Sequence, residues 1–208
     1  CHVMPLLLKV HRPSEIRCFV RPSSDVRILE AAKVGLACGD LGDYGSLYGA
    51  LDGIDILVNL ASLGFGHAPN IVSACAGREV RRAIFIGTTA IFTTLSARSK
   101  AVRKEAERLI EKSCMEYTIL RPTMVYGSER DRNVSRLIRY LVKWPAVPVF
   151  GSGNRMQQPV HVEDVAGSVL RSLISENTFR RAYNIAGAVP LSYDDVIDTI
   201  CRLLDKRV

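Results

Sequence analysis

No apolar run in these 208 residues approaches the roughly 18 consecutive residues that a membrane-spanning helix requires. Leu6-Leu7-Leu8 is far too short and follows no basic stretch, which speaks against a signal peptide. Close cysteine pairs are also lacking. The six cysteines, Cys1, Cys18, Cys38, Cys75, Cys114 and Cys201, are scattered through the chain. That spacing argues against a metal site or a disulfide framework and for a reduced, cytoplasmic compartment. Internal repeats, low-complexity segments and linkers are absent, so residues 1–208 read as a single domain. Charge is unbalanced, with 28 basic against 21 acidic residues and a net charge of +7. The densest basic run, Arg130-Asp131-Arg132 followed by Arg136 and Arg139, is broken by acid and carries no interleaved aromatic residues. A surface that tolerates anionic small molecules is expected, and no nucleic-acid or membrane partner is.

What the chain does contain is alternation. Short apolar runs alternate with amphipathic stretches along its whole length, the pattern of a parallel sheet covered by helices on both faces. Strands are expected at Glu15 to Val20, Val34 to Ala37, Ile54 to Leu60, Ala83 to Gly87 and Met115 to Leu120. Helices are expected at Asp25 to Lys33, Asp43 to Leu51, Pro69 to Ala76, Ser96 to Lys112, Asn133 to Lys143, Glu163 to Ile174 and Tyr193 to Leu204. In the longest of these, Ala101-Val102, Glu105-Ala106 and Leu109-Ile110 fall at helical spacing. An earlier helix spans Val3, Leu6, Leu7 and Val10.

The most informative segment is Arg121-Pro122-Thr123-Met124-Val125-Tyr126-Gly127, directly after the apolar run Tyr117 to Leu120. Pro122 removes a backbone donor and fixes φ, so regular pairing stops there. The chain then turns out at the carboxyl end of a strand, where open α/β sheets bind ligands. An ordinary strand exit would look much the same. Three further segments accompany it, however: the strand Ala83 to Gly87 running into Thr88-Thr89-Ala90-Ile91-Phe92, then Gln158 to Ala166, and Ala182 to Gly187. Together, and in this order, they resemble the extended or atypical short-chain dehydrogenase/reductase family, which includes NAD-dependent epimerases and dehydratases.

That resemblance implies a Rossmann-like, doubly wound parallel sheet, an NAD or NADP cofactor and a small-molecule substrate, with a homodimer left open. In a dinucleotide-binding fold a strand and a Gly-x-Gly-x-x-Gly turn precede the first helix. The expectation is therefore a chain truncated at its amino terminus, with part of a small substrate region at its carboxyl end. A dinucleotide would then be anchored at one edge only.

The resemblance also assigns residues. Arg21 follows the second family strand, where an acidic side chain would select NAD and an arginine would meet the 2′-phosphate of NADP, so the sequence leans to NADP. Asp40 and Leu41 stand where the family contacts adenine, although Asp40 and Asp43 both also suit a helix start. Leu60, Ala61 and Ser62 line the ribose and nicotinamide. Pro122 and Val125 belong to the same wall. The family triad is Ser/Thr, Tyr and Lys. Thr88 and Lys100 match, but the tyrosine position, four residues before Lys100, is Ser96, and no tyrosine lies between Tyr48 and Tyr117. A serine hydroxyl is too weak an acid to replace a phenol. This departure points to an atypical branch that keeps the fold without the tyrosine and includes redox sensors, a respiratory complex I accessory subunit and some reductases. Gln157 stands four residues before His161, where nucleotide-sugar enzymes carry an arginine for the pyrophosphate, which speaks against such a substrate.

Overall fold

The computed structural model describes residues 2–94, 98–128, 131, 133–144, 147–149 and 152–206. Ser96 lies outside the described residues. The chain opens with α1 (Val3–Leu7), then β1 (Arg17–Val20), α2 (Arg27–Ala31), β2 (Gly35–Cys38) and α3 (Tyr44–Ala50). It continues through β3 (Ile56–Asn59), α4 (Ala68–Gly77), β4 (Arg82–Ile86), α5 (Arg98–Glu111), β5 (Glu116–Pro122) and β6 (Val125–Tyr126). The last third holds α6 (Val134–Lys143), β7 (Met156–Gln157), β8 (Val160–His161), α7 (Val162–Ile174), β9 (Arg181–Ile185), β10 (Leu191–Ser192) and α8 (Tyr193–Leu203).

Four strands, in the order β3-β4-β5-β9, form an all-parallel sheet. β4 is buried from Arg82 to Phe85, as a central parallel strand covered on both faces should be. Its alternate side chains go to opposite sides. Ala83 and Phe85 enter a core with Tyr117 and Ile119 of β5, Leu47 of α3, Ile71 and Cys75 of α4, and Ala106 and Ile110 of α5. Ile84 turns the other way, to Leu120, to Val3 of α1 and to Ala166 and Val169 of α7. Each Leu, Ile, Val or Phe side chain among them, taken fully out of water, contributes roughly 1.5–3 kcal/mol. Burial also pushes the Cys75 thiol up to about 12, so it acts as a small hydrophobe. The fold is thus the expected α/β sheet with helices on both faces.

The first two parallel strands form a separate sheet. β1 and β2 pair with each other in parallel, but no ladder joins β1 to β3 among the described residues. Packing holds the two sheets together instead. Phe19 of β1 and Leu57 of β3 sit against the same core, and Arg17 at the start of β1 donates to the carbonyls of Ala50 (2.9 Å) and Asp52 (2.7 Å) just ahead of β3.

Element limits also shift, for local reasons. α2 closes with Lys33 at φ 56° and with the Val34 N–H on the Leu29 carbonyl, so Val34 belongs to the helix exit and β2 starts at Gly35. α1 ends at Leu7, leaving Val10 exposed. Two short ladders were not visible in the sequence: β6 with β8 in parallel, and β7 with β10 antiparallel.

A buried arginine locks the amino-terminal ends of the strands. Nη2 of Arg82 donates to Thr118 Oγ1 (2.6 Å), the Ser172 carbonyl (2.7 Å) and Thr178 Oγ1 (3.1 Å). Nη1 reaches the Glu116 carbonyl, and the guanidinium lies 4.5 Å from the centre of the Phe179 ring. Burial lowers its pKa, against the raising field of Glu116. This one side chain ties β4 to β5 and α7.

Candidate active site at the carboxyl edge of the sheet

The strand exits carry most residues singled out from the sequence for this edge; Lys100 lies in α5 and Val125 in β6. Arg21 follows β1 and is exposed. Gly39, Asp40 and Leu41 follow β2, while Leu60, Ala61 and Ser62 follow β3. Gly87 and Thr88 follow β4, and Pro122 ends β5. Asn70, near the start of α4, reaches one of these exits: its Nδ2 donates to the carbonyls of Leu41 (3.1 Å) and Gly42 (2.9 Å). The end of β2 and the start of α4, the helix that follows β3, are therefore held together, although β2 and β3 share no ladder among the described residues.

Asp40 and Asp43 are separated by the structure. Asp43 caps α3, accepting from the N–H groups of Gly45 (3.1 Å) and Ser46 (3.2 Å). Bonds from Ser46, then from the backbone, hold its carboxyl below the usual range. Asp40 is free of that duty. Among the described residues its Oδ1 accepts a local turn bond from Gly42 (2.7 Å), and the side chain stands exposed at the edge. Leu41 leans instead on the core beneath α3 and α4. Ser62 and Thr88 each start a single helical turn, accepting from Gly64 (3.2 Å) and Ala90 (3.2 Å) respectively. Leu60, Phe65 and Phe92 are exposed around these turns. They give the edge apolar surfaces on which flat rings can lie, beside an exposed carboxylate at Asp40 and a cation at Arg21. This donor, acceptor and apolar set fits a dinucleotide.

The expected catalytic pair is Thr88 and Lys100. Thr88 lines a depression of about 450 Å³ with Gly87, Pro122, Thr123, Val125 and Asn133, closed by Ser128 and Asp131. Lys100 is not among the lining residues; its ammonium donates to the Thr93 carbonyl. One helical turn on, Arg103 approaches the β3 exit. Its Nη1 donates to Ser99 Oγ (3.1 Å), and a β-carbon at Gly64 would stand 3.0 Å from its Nε. Arg103 was missed because only Lys100 fits the family spacing. Its position at i+3 from Lys100, on the same helix face, was the available signal.

Arg121 and Glu107 were missed as a pair for a similar reason, since they are 14 residues apart. Glu107 on α5 takes Arg121 in a forked contact, with Nε at 3.1 and 3.0 Å and Nη2 at 2.6 Å, and both side chains are largely buried. The pair fixes α5 against the end of β5, beneath Gly87. In the depression itself, burial raises the carboxyl of Asp131, but bonds from Ser135 and Asn133 outweigh that and hold it below the usual range. A larger depression of about 670 Å³ lies at the opposite ends of the strands, lined by Asp55, Arg78 and Arg81. Its charges pair locally, as Arg78–Asp52 and Arg81–Asp55, and ligands of open parallel sheets bind at the other edge. Among the described residues no group of three or more His, Cys, Asp or Glu side chains could hold a metal, and no helix is long and apolar enough to cross a membrane.

Comparison with known proteins bears on the same edge. The sequence profile of a family described as NAD(P)H-binding matches residues 1–173. A mitochondrial NADH dehydrogenase [ubiquinone] 1 alpha subcomplex subunit 9 from Dictyostelium discoideum is 24% identical over 199 residues, covering 88% of this chain and 54% of the relative. The chain thus spans about half the length of that curated relative. Among solved structures, an NADPH-dependent quinone oxidoreductase from Escherichia coli superposes with a TM-score of 0.83 at 20% identity, over 100% of this chain and 71% of its own. A Citrobacter triphenylmethane reductase complexed with NADP(H) gives 0.83 at 20% identity, over 100% and 73%. At that identity the superpositions show the fold alone.

Proposed function

The chain belongs to the family of NAD(P)H-binding domains, and on that premise we propose that it holds the dinucleotide along the carboxyl edge of β1 to β5 as a reductase-type enzyme. The bond from Asn70 to the exit of β2 supports this reading, because it ties the adenine end of that edge to the start of α4, the helix that follows the β3 exit. Arg21 would meet a 2′-phosphate, which favours NADP. Asp40 would accept from the adenine amine, with Leu41 behind it. Leu60, Ala61 and Ser62 would line the ribose, with Lys100 beyond them, and Pro122 and Val125 would wall the nicotinamide. Reduced nicotinamide, when bound, supplies a hydride.

The chain's own groups then limit the substrate. Thr88 accepts from the Ala90 N–H, so its hydroxyl proton remains to be donated into the depression. Such a hydroxyl polarises an oxygen by hydrogen bonding but is too weak an acid to protonate it fully. Epimerase or dehydratase chemistry needs a stronger acid and base at the position held by Ser96. A small acceptor whose reduced form takes its proton from water suits these groups better than a nucleotide sugar does. A cytoplasmic enzyme is part of this reading. A second reading, a non-catalytic NAD(P)H-holding subunit, is favoured by the Lys100 ammonium being engaged by Thr93; the Dictyostelium relative is named as a complex subunit.

Titration with NADPH and NADH, followed by NADPH oxidation with a small quinone, separates the two. Saturable NADPH binding with turnover that Thr88→Val abolishes supports the enzyme. Binding without turnover supports the subunit. Absence of saturable binding contradicts both.

A further inference from the structure

A partly buried arginine at the carboxyl edge has more donors than partners. Arg103 lies in the second turn of α5, and its Nη1 donates to Ser99 Oγ (3.1 Å), one turn nearer the start of the helix. That bond draws the guanidinium back toward the amino end of α5, the end that follows the β4 exit. The group then lies over Gly64: a β-carbon there would stand 3.0 Å from Nε, 3.1 Å from Nη2 and 3.2 Å from Cζ. Gly64 does not adopt a positive φ, so the backbone of this turn does not call for glycine. The approach of the guanidinium does. The turn has other fastenings, the Gly64 N–H on Ser62 Oγ and the buried Leu63. Among the described residues Nε and Nη2 of Arg103 have no acceptor, and no carboxylate lies within 4.0 Å of the guanidinium. The next acids along the helix are taken, Glu105 by Arg108 and Glu107 by Arg121. A charge withdrawn from water without a partner opposes folding, which makes a ligand the natural counterpart of this one.

Strand order indicates which ligand group that is. Adenine is placed above at the β2 exit and nicotinamide at the β4 and β5 exits. The diphosphate joining them then has to cross the β3 exit, because β1 packs beside β3 and β3 pairs with β4. We propose that Arg103 binds this diphosphate, with Nε and Nη2 as its two donors. The assignment rests on that placement of the cofactor. Side by side, the two N–H groups match two oxygens of a phosphate, which a single ammonium cannot do. Lys100, the cation that the family spacing singles out, has its ammonium on the Thr93 carbonyl, whereas Arg103 keeps its fork open.

Calorimetric titration of the whole chain and of Arg103→Gln with inorganic pyrophosphate, NADPH and NADH tests the assignment. The variant should weaken all three by about 10- to 100-fold, the loss of charge-assisted hydrogen bonds. NADPH and NADH should suffer alike, since both carry the diphosphate, which separates Arg103 from Arg21. Arg103→Lys should recover only part of the affinity, because it keeps the charge without the fork. Gly64→Ala keeps every charge but crowds the guanidinium, and should weaken the same three ligands. A residue that merely fastens the turn to α5 would lower the urea midpoint and leave the affinities of the folded protein unchanged; that result overturns the proposal. An effect on NADPH alone overturns it too. Dinucleotide binding indifferent to Arg103→Gln would sink the assignment and leave the cofactor reading standing. Pyrophosphate binding that needs Arg103, in a chain that takes no dinucleotide, would support the anion site and contradict the cofactor reading. Absence of binding by all three ligands overturns both.

Discussion

Replacing Glu107 by alanine would leave the Arg121 guanidinium without its carboxylate in a place where water reaches little of it. The side chains of Glu107 and Arg121 are 6% and 15% exposed. Breaking a buried pair by removing one partner costs about 3–5 kcal/mol, because the remaining charge is stranded. The partial exposure of Arg121, and the Phe92 ring 5.5 Å from it, place the expected loss at the lower end, about 3 kcal/mol. For a domain of this length that corresponds to a fall in Tm of about 6–12 °C. The loss should not stay local, since the pair presses α5, with Lys100 and Arg103, against the end of β5. Urea unfolding and NADPH titration of Glu107→Ala should therefore show lost stability and weakened cofactor binding together. The double variant Glu107→Met, Arg121→Met should recover much of the stability, since an apolar pair of similar volume replaces a desolvated ionic one. A single-variant loss below about 1 kcal/mol would show that Arg121 finds water instead, as an exposed pair does, and would refute the reasoning.

Three other outcomes are expected. Arg21→Ala should weaken NADPH about 10- to 100-fold, the loss of a charge-assisted hydrogen bond, while NADH binding stays unchanged; equal effects on both would make Arg21 an ordinary surface residue. Gly187→Ala should destabilise by about 1–3 kcal/mol in thermal unfolding, because a β-carbon there would collide with the Pro159 carbonyl oxygen, which is backbone and cannot swing aside. Asp43 and Asp195 have carboxyls held below the usual value of 3.8, chiefly by the Ser46 and Ser192 hydroxyls and then by backbone N–H groups. With folded pKa values depressed, their stabilisation is present above that value and is lost as pH falls through the lowered ones. Asp43→Asn should accordingly lose more stability near neutral pH than at about pH 3, as read from urea midpoints.

The sequence made the sheet and its helices readable because β4 and β5 are continuous apolar runs and α5 carries a clear helical period. It also placed Asp40, Ser62, Thr88 and Pro122 at strand exits, since Gly and Pro mark those exits directly. Two kinds of feature stayed hidden. Short ladders such as Val125–Tyr126 with Val160–His161 hold two residues each, too few for a period of two to show. Contacts between distant segments were also out of reach: Arg121 with Glu107, Arg103 with Gly64, and Asn70 with Leu41. Each depends on how a helix is rotated against the sheet, which one strand or helix pattern does not encode. The family spacing moreover drew attention to Lys100, whereas helix rotation turns Arg103 toward the loop after β3.

The central claim is that the cofactor lies along the carboxyl edge of β1 to β5. Amide hydrogen exchange with and without saturating NADPH tests it most directly. The account predicts added protection at residues 39–43, 60–64 and 87–92, with none at the opposite edge around residues 53–55 and 78–81. Protection confined to that opposite edge, or no change at the β2, β3 and β4 exits under saturation, would contradict it.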